Sequence, residues 1–176
     1  VIKKWSVLVQ KYCRDNKEDA PYWYNERATL SIFAGAIWLS GGFAFEEFSS
    51  KKIAVKKRRT GRTDLWFKWQ GEDYVVEAKQ ICPSISSRNH ALIPTLTQAL
   101  HKACKDANES RSEGKLSIGV VFLIPYLPEN EREMIDVQIN KLQNELLHSD
   151  YGLLAWSFPS SARELSYENF LYPGVI

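Results

Sequence analysis

Residues 63–80 read TDLWFKWQGEDYVVEAKQ, two runs of strand-forming residues separated by Gly71, Glu72 and Asp73. Trp66, Phe67 and Trp69 in the first run and Tyr74, Val75 and Val76 in the second suit a pleated, half-buried surface. The residues between them have turn chemistry, so a hairpin is predicted. If Gln70 pairs with Asp73, Trp66 faces Glu77 and Asp64 faces Lys79. Strand side chains alternate, which puts Asp64, Trp66, Glu77 and Lys79 on one face and Leu65, Phe67, Trp69, Tyr74, Val76 and Ala78 on the other. The second face is a core layer. The first gathers two carboxylates and an ammonium, which a plain hairpin does not need.

Carboxylates held together raise each other's pKa unless a cation stands between them, and Mg²⁺, a hard ion that prefers oxygen ligands, fits that place. Lys79 cannot ligate a metal while protonated, but it can orient or deprotonate a water or stabilise charge developing on a phosphate. The bland alternative is a solvated strand in which Asp64 and Glu77 pair with Lys79 and Lys68.

The flanking sequence carries charge of one sign. Seven of the twelve residues at 51–62 are basic, and residues 1–90 hold 16 Lys and Arg against 10 Asp and Glu, a surplus of six positive charges. Residues 91–176 hold 7 against 11, so the chain's net +2 conceals a positive half that contains the hairpin. Such a field suits a polyanion, whose phosphates need neutralising on both sides of a scissile bond. Lys56, Lys57, Arg58, Arg59 and Arg62, with Arg88 in the loop that follows, are the candidate nucleic-acid contacts.

A 176-residue chain with 44% hydrophobic and 25% charged residues has enough material for one core without disulfides or a structural metal, so a single domain over 1–176 is expected. The apolar run near 28–45 is short and interrupted for a membrane span, and no secretory leader opens the chain. Cys13, Cys82 and Cys104 are odd in number and lack CxxC spacing, which reads as reduced thiols in the cytoplasm rather than a disulfide frame or zinc site. His90, His101 and His148 are too scattered for a ligand set.

Helical spacing is predicted over 2–14 and again from Asp19 to Ser40, where Leu30, Phe33, Ala34, Ile37 and Trp38 form the apolar stripe and Gly41-Gly42 ends the helix. Glu26 lies on that stripe, one turn before Leu30. It reads either as a first-turn acid favoured by the helix dipole or as a carboxylate in need of a buried partner. Residues 43–48 alternate as a strand, and 51–62 form a strand extension or loop into the hairpin. A helix is predicted over about 94–107, a strand buried on both faces over 116–126, a helix over about 129–148 and a further strand over 152–158. The tail has no readable period.

Asp64 followed by Glu77-Ala78-Lys79 resembles the signature of the PD-(D/E)XK nuclease superfamily, with Thr63 where that motif has Pro. The order α-β-β-β-α-β across residues 22–126 is similar to the superfamily's core, with the motif on the second and third strands. The resemblance implies an α+β, restriction-endonuclease-like domain with a mixed sheet flanked by helices. The core would span about 20–126, with the helix at 2–14 before it and a helix-strand extension at 129–176 after it.

The resemblance also implies an activity, a Mg²⁺-dependent endonuclease cleaving DNA, with Mn²⁺ able to substitute. Asp64, Glu77 and the Ala78 carbonyl would bind the metal, Lys79 would serve the attacking water, and Glu26 would point into the site. Gln98 would be an accessory helix residue, although Lys102 stands where its usual Tyr partner would be. Trp66 would stack on a base or cover the metal. Two other readings stay open: a non-cleaving nucleic-acid-binding or assembly module of the same fold, and an RNA-directed nuclease. Without a dedicated sequence reader, weak sequence preference or a targeting partner is expected, and cutting both strands would call for a homodimer.

Overall fold

A computed structural model of the chain describes residues 1–54, 57–86, 92–110 and 115–176, with side chains described outside 48–61. Its hairpin closes one residue earlier than predicted. Trp69 pairs with Glu72 and Leu65 with Val76, leaving Gln70 and Gly71 as a two-residue loop. Both loop residues have positive φ, 51° and 89°, the backbone of a type I′ turn, and glycine at the second position takes that conformation without a Cβ penalty. The pairing is therefore shifted by two residues from the Gln70–Asp73 register. An even shift preserves the faces, so Asp64, Trp66, Glu77 and Lys79 remain together, but Trp66 lies opposite Val75 rather than Glu77.

This hairpin is the middle of a mixed four-stranded sheet. Strands β1 (Phe43–Ala54), β2 (Lys57–Trp69) and β3 (Glu72–Ile81) are antiparallel neighbours. The fourth, β4 (Leu116–Leu123), runs parallel to β3 at the sheet's outer side. Helices α1 (Ile2–Asp15) and α2 (Glu26–Leu39) precede the sheet, and α3 (Leu92–Ser110) connects β3 to β4. The order α2-β1-β2-β3-α3-β4 is the αβββαβ order expected from sequence. After β4 come β5 (Leu127–Pro128), α4 (Ile135–Leu147), β6 (Ser166–Tyr167) and β7 (Phe170–Leu171), and the three short strands form a second sheet in the order β5-β7-β6.

Each face of the main sheet buries its own layer. Leu65, Phe67, Val76 and Ala78 pack with Leu30, Ala34 and Ile37 of α2 and Trp5 and Val9 of α1. On the other face Leu123 packs with Leu92 and Leu96 of α3 and with Ile135, Ile139, Leu142 and Leu146 of α4. Each fully buried aliphatic side chain contributes about 1.5–3 kcal/mol relative to exposure. At Gly119, paired with Glu77, α3 crosses close to the sheet: an added Cβ would lie 2.4 Å from the Cys104 amide nitrogen and 2.7 Å from the Ala103 carbonyl carbon.

Several boundaries differ from the sequence reading. The helix expected from Asp19 is a 3-10 turn at Pro21–Trp23, followed by α2, whose start is set by Asn25 accepting a hydrogen bond from the Ala28 amide at 3.0 Å. Trp38, placed on the apolar stripe, is exposed. The helix expected from Glu129 begins as a 3-10 turn, Glu129–Met134, before α4.

The largest correction concerns 152–158, which is not a strand. Its one bridge joins Ser157 to Val175, while Leu123 exchanges 2.9 Å backbone hydrogen bonds with Ile176. The C-terminal residues thus take the backbone partners that a fifth strand would have used. As a result β4 is half-buried along most of its length rather than covered on both faces. An apolar groove of about 470 Å³ runs beside it, lined in part by Ile118, Val120, Leu100 and Leu154. Among the described residues no helix is long and apolar enough to cross a membrane.

Candidate active site

The β2–β3 ladder stops at Leu65 and Val76, whereas β2 continues beside β1, and β3 beside β4 to Ile81. The two central strands therefore part at Asp64 and Glu77, and the candidate residues sit in that fork. Extending the register by one step sets Asp64 against Glu77, not Lys79. Asp64 Oδ2 accepts a 2.8 Å hydrogen bond from the Ala78 amide, which draws the carboxylate across the gap. Lys79 Nζ donates to the Ala78 carbonyl at 2.6 Å, so a cationic group already occupies the carbonyl proposed from sequence as a metal ligand.

Helix α3 secures the other side. Ser110 Oγ donates to Glu77 Oε1 at 2.5 Å, and Glu77 is only 4% exposed. One turn earlier, Asp106 lies 3.4 Å from Lys79 Nζ. The close approach at Gly119 allows α3 to bring this Asp-Ser pair onto the sheet. Sequence reasoning missed both residues. The signal was their four-residue spacing beside the buried Ala103 and Ala107, which places them at the margin of the packed helix face.

Glu26 approaches from the N-terminus of α2. Burial first, and then the negative charges of Asp64 and Glu77, push its carboxyl above the ordinary value, against the opposing Lys79 charge and a hydrogen bond from the Gln80 amide. Gln80 ties the same elements together, accepting from Thr29 Oγ1 at 2.7 Å and donating to the Tyr22 carbonyl at 3.3 Å. Glu26 thus comes within the electrostatic reach of Asp64, Glu77 and Lys79, while Ala78 contacts Asp64 and Lys79.

The remaining candidates lie farther out. Trp66 shares the Asp64 face and stacks on Phe45 at 5.6 Å between centroids, with an 18° interplanar angle. Arg62 donates to Glu47 at 2.6 Å, and Arg27, also unforeseen, pairs with the same carboxylate. Gln98 is exposed two turns before Asp106 and has no hydrogen bond to the site among the described residues. Lys56 and Arg88 lie outside the described residues. The side chains of Lys57, Arg58 and Arg59 do too, although their backbone forms the start of β2.

Asp106 therefore pairs with the Lys79 ammonium, and Glu26 feels the charges of Lys79, Asp64 and Glu77. Among the described residues no group of three or more His, Cys, Asp or Glu side chains could by itself hold a metal ion. Asp64, Glu77 and the Ala78 carbonyl nevertheless have the oxygen chemistry that Mg²⁺ takes alongside several waters, provided that Lys79 yields the carbonyl or shares it. Burial is the main cause of the raised Glu26 carboxyl, and the Asp64 and Glu77 charges that add to it are what a divalent cation would relieve. Comparison of the chain with protein-family models, curated proteins and solved structures found no match.

Proposed function

We propose that the chain is a Mg²⁺-dependent nuclease, an endonuclease cleaving DNA phosphodiesters. The observation that carries this reading is the fork itself, where Asp64, Glu77, the Ala78 carbonyl and Lys79 meet beneath Glu26. Asp64, Glu77 and the Ala78 carbonyl would hold the ion, which would supply positive charge and Lewis acidity at the phosphate. Lys79, steadied by Asp106, orients the attacking water and offsets charge on the phosphate oxygens. Glu26, whose proton affinity is raised, would accept the water's proton as the new P–O bond forms and the P–O bond to the leaving oxygen breaks in line, the leaving alkoxide taking a proton from solvent water. Arg27 and Arg62, both largely exposed and sharing the Glu47 carboxylate, would meet flanking phosphates. Free cysteines at positions 13, 82 and 104 accord with action in the reducing cytoplasm.

One observation favours a non-cleaving module instead: Glu77 is buried and hydrogen-bonded to Ser110, as a structural carboxylate would be. Incubation of supercoiled plasmid and a matched RNA with the wild type, Lys79→Ala and Glu77→Ala, each with Mg²⁺ or EDTA, separates the readings. The nuclease reading expects metal-dependent cleavage that falls by about 100-fold or more in either variant. Cleavage of RNA alone would reassign the substrate. Folded proteins that bind nucleic acid without cutting either polymer would establish the module.

A further inference from the structure

Phe43 and Phe45 project from β1, the strand at one side of the sheet, and remain 53% and 51% exposed. Phe45 is paired with Trp66 and Phe43 with Lys68, so these four side chains share the face that carries Asp64. Along β2 that face reads Arg62, Asp64, Trp66, Lys68, with cations and an aromatic ring alternating around the candidate catalytic carboxylate. Trp38 wraps the outer side of β1, its indole N–H held by the Ala44 carbonyl at 3.1 Å and its ring set edge-on to Phe43 and Phe45 at 5.4 and 6.3 Å. The rings are thus buttressed in place, yet half of each phenylalanine stays in water. An ordered apolar row of this kind marks a contact surface.

We infer that this row is a base-stacking platform that takes single-stranded nucleic acid and leads it to Asp64. Each base presents a π-face only when unpaired, and a duplex hides those faces within its stack. Phe43 and Phe45 stand two residues apart, about 6.7 Å along the strand. That is roughly twice the 3.4 Å rise of stacked bases in a duplex, so the row fits an extended strand and not a stacked one. Charge along the row is close to balance: Arg27 and Arg62 share the single carboxylate of Glu47, and Lys68 is 3.9 Å from Asp73, so stacking rather than net charge would carry the binding. The aromatic row, its two-residue spacing and the candidate phosphodiester site at its end favour a nucleic acid over a protein partner. The inference uses the nuclease reading for where the strand leads, not for whether it binds.

The test is fluorescence anisotropy in EDTA with labelled oligothymidylate, oligouridylate and a blunt DNA duplex of equal length, using the wild type, Phe43→Ala, Phe45→Ala and Phe45→Leu. Single strands are expected to bind at least about tenfold tighter than the duplex. Each Ala variant is expected to lose about tenfold, and Phe45→Leu nearly as much, because it keeps apolar bulk but no ring. Preference for thymidylate or uridylate identifies the polymer. Duplex binding that equals or exceeds single-strand binding, or single-strand affinity unchanged in folded Ala variants, overturns the platform. Because EDTA removes cleavage from the measurement, the two readings fail separately. Ring-dependent binding by a protein that cuts nothing keeps the platform and removes the nuclease. Metal-dependent duplex cleavage indifferent to Phe43 and Phe45 does the reverse.

Discussion

The fork between β2 and β3 and the open side of β4 are both places where a strand loses a neighbour, and the chain fills them by opposite means. At the fork, directional polar contacts take over: Asp64 to the Ala78 amide, Glu77 to Ser110, Lys79 to Asp106, Gln80 to Thr29. Beside β4 the contacts are apolar, a groove of about 470 Å³ bordered by Leu154 and closed by backbone hydrogen bonds only near its end, at Leu123 and Ile176. Apolar contact tolerates slippage, whereas a hydrogen bond to a buried charge fixes a few atoms closely. The difference teaches where the fold spends its geometric definition, namely at the carboxylates.

The largest effect should come from separating α3 from both regions at once. Gly119→Ala places a Cβ at 2.4 and 2.7 Å from helix backbone that no rotamer change can move. A loss of about 3 kcal/mol is expected in thermal or urea melts, the upper part of the usual overpacking range. If α3 alone holds Ser110 and Asp106 in place, the variant should lose any nuclease activity out of proportion to its stability. A melt unchanged from wild type would mean that α3 rests farther from the sheet.

Ser110→Ala sharpens the comparison on the fork side alone. It removes a donor from a carboxylate that is almost fully buried, at an expected cost of about 2 kcal/mol. In a Glu77→Gln background the same change should cost markedly less, since the acceptor is no longer charged. Equal costs in the two backgrounds would show that the Ser110–Glu77 contact is not coupled.

What the sequence made legible follows the same division. Period-two alternation across 63–80 assigned the faces correctly even though the turn was misplaced by one residue, because the resulting register shift is even. The helical phase of Glu26 with Leu30 leaves two readings open, a first-turn acid or a carboxylate in need of a buried partner, and its nearness to the Asp64 and Glu77 charges comes from the tertiary fold. Asp106 and Ser110 were not, because a polar residue at the edge of an amphipathic helix looks the same whether it meets solvent or a buried charge. The strand expected at 152–158 failed for a non-local reason. GLLAWSF has the composition of a strand, but Val175 and Ile176 compete for the backbone partners of Ser157 and Leu123, and nothing local in the tail announces that. Trp38 was assigned to the core from its place on the stripe. Its position near the end of α2 lets it reach round β1 to Phe43 and Phe45 instead.

The smallest effect, and the one that reads the fork's charge directly, is pH-dependent. The Glu26 carboxyl is raised in the folded protein, so the native state binds that proton more tightly than the unfolded chain does. Stability from this group is therefore fully present below the ordinary value of 4.5 and declines as pH rises from there through the raised folded value. At neutral pH an ionised Glu26 costs the fold something, because burial and the Asp64 and Glu77 charges oppose it. Glu26→Gln keeps an oxygen for the Gln80 amide and removes the charge. It should melt above the wild type at neutral pH in EDTA and lose that advantage once the pH falls below 4.5. If Asp64 and Glu77 take up Mg²⁺, their negative field is neutralised and the neutral-pH gap should narrow as the ion is added. A gap that stays constant from acid to neutral pH would show that the Glu26 carboxyl is not raised in the folded protein, and a pH-dependent gap that Mg²⁺ leaves unchanged would assign the rise to burial alone.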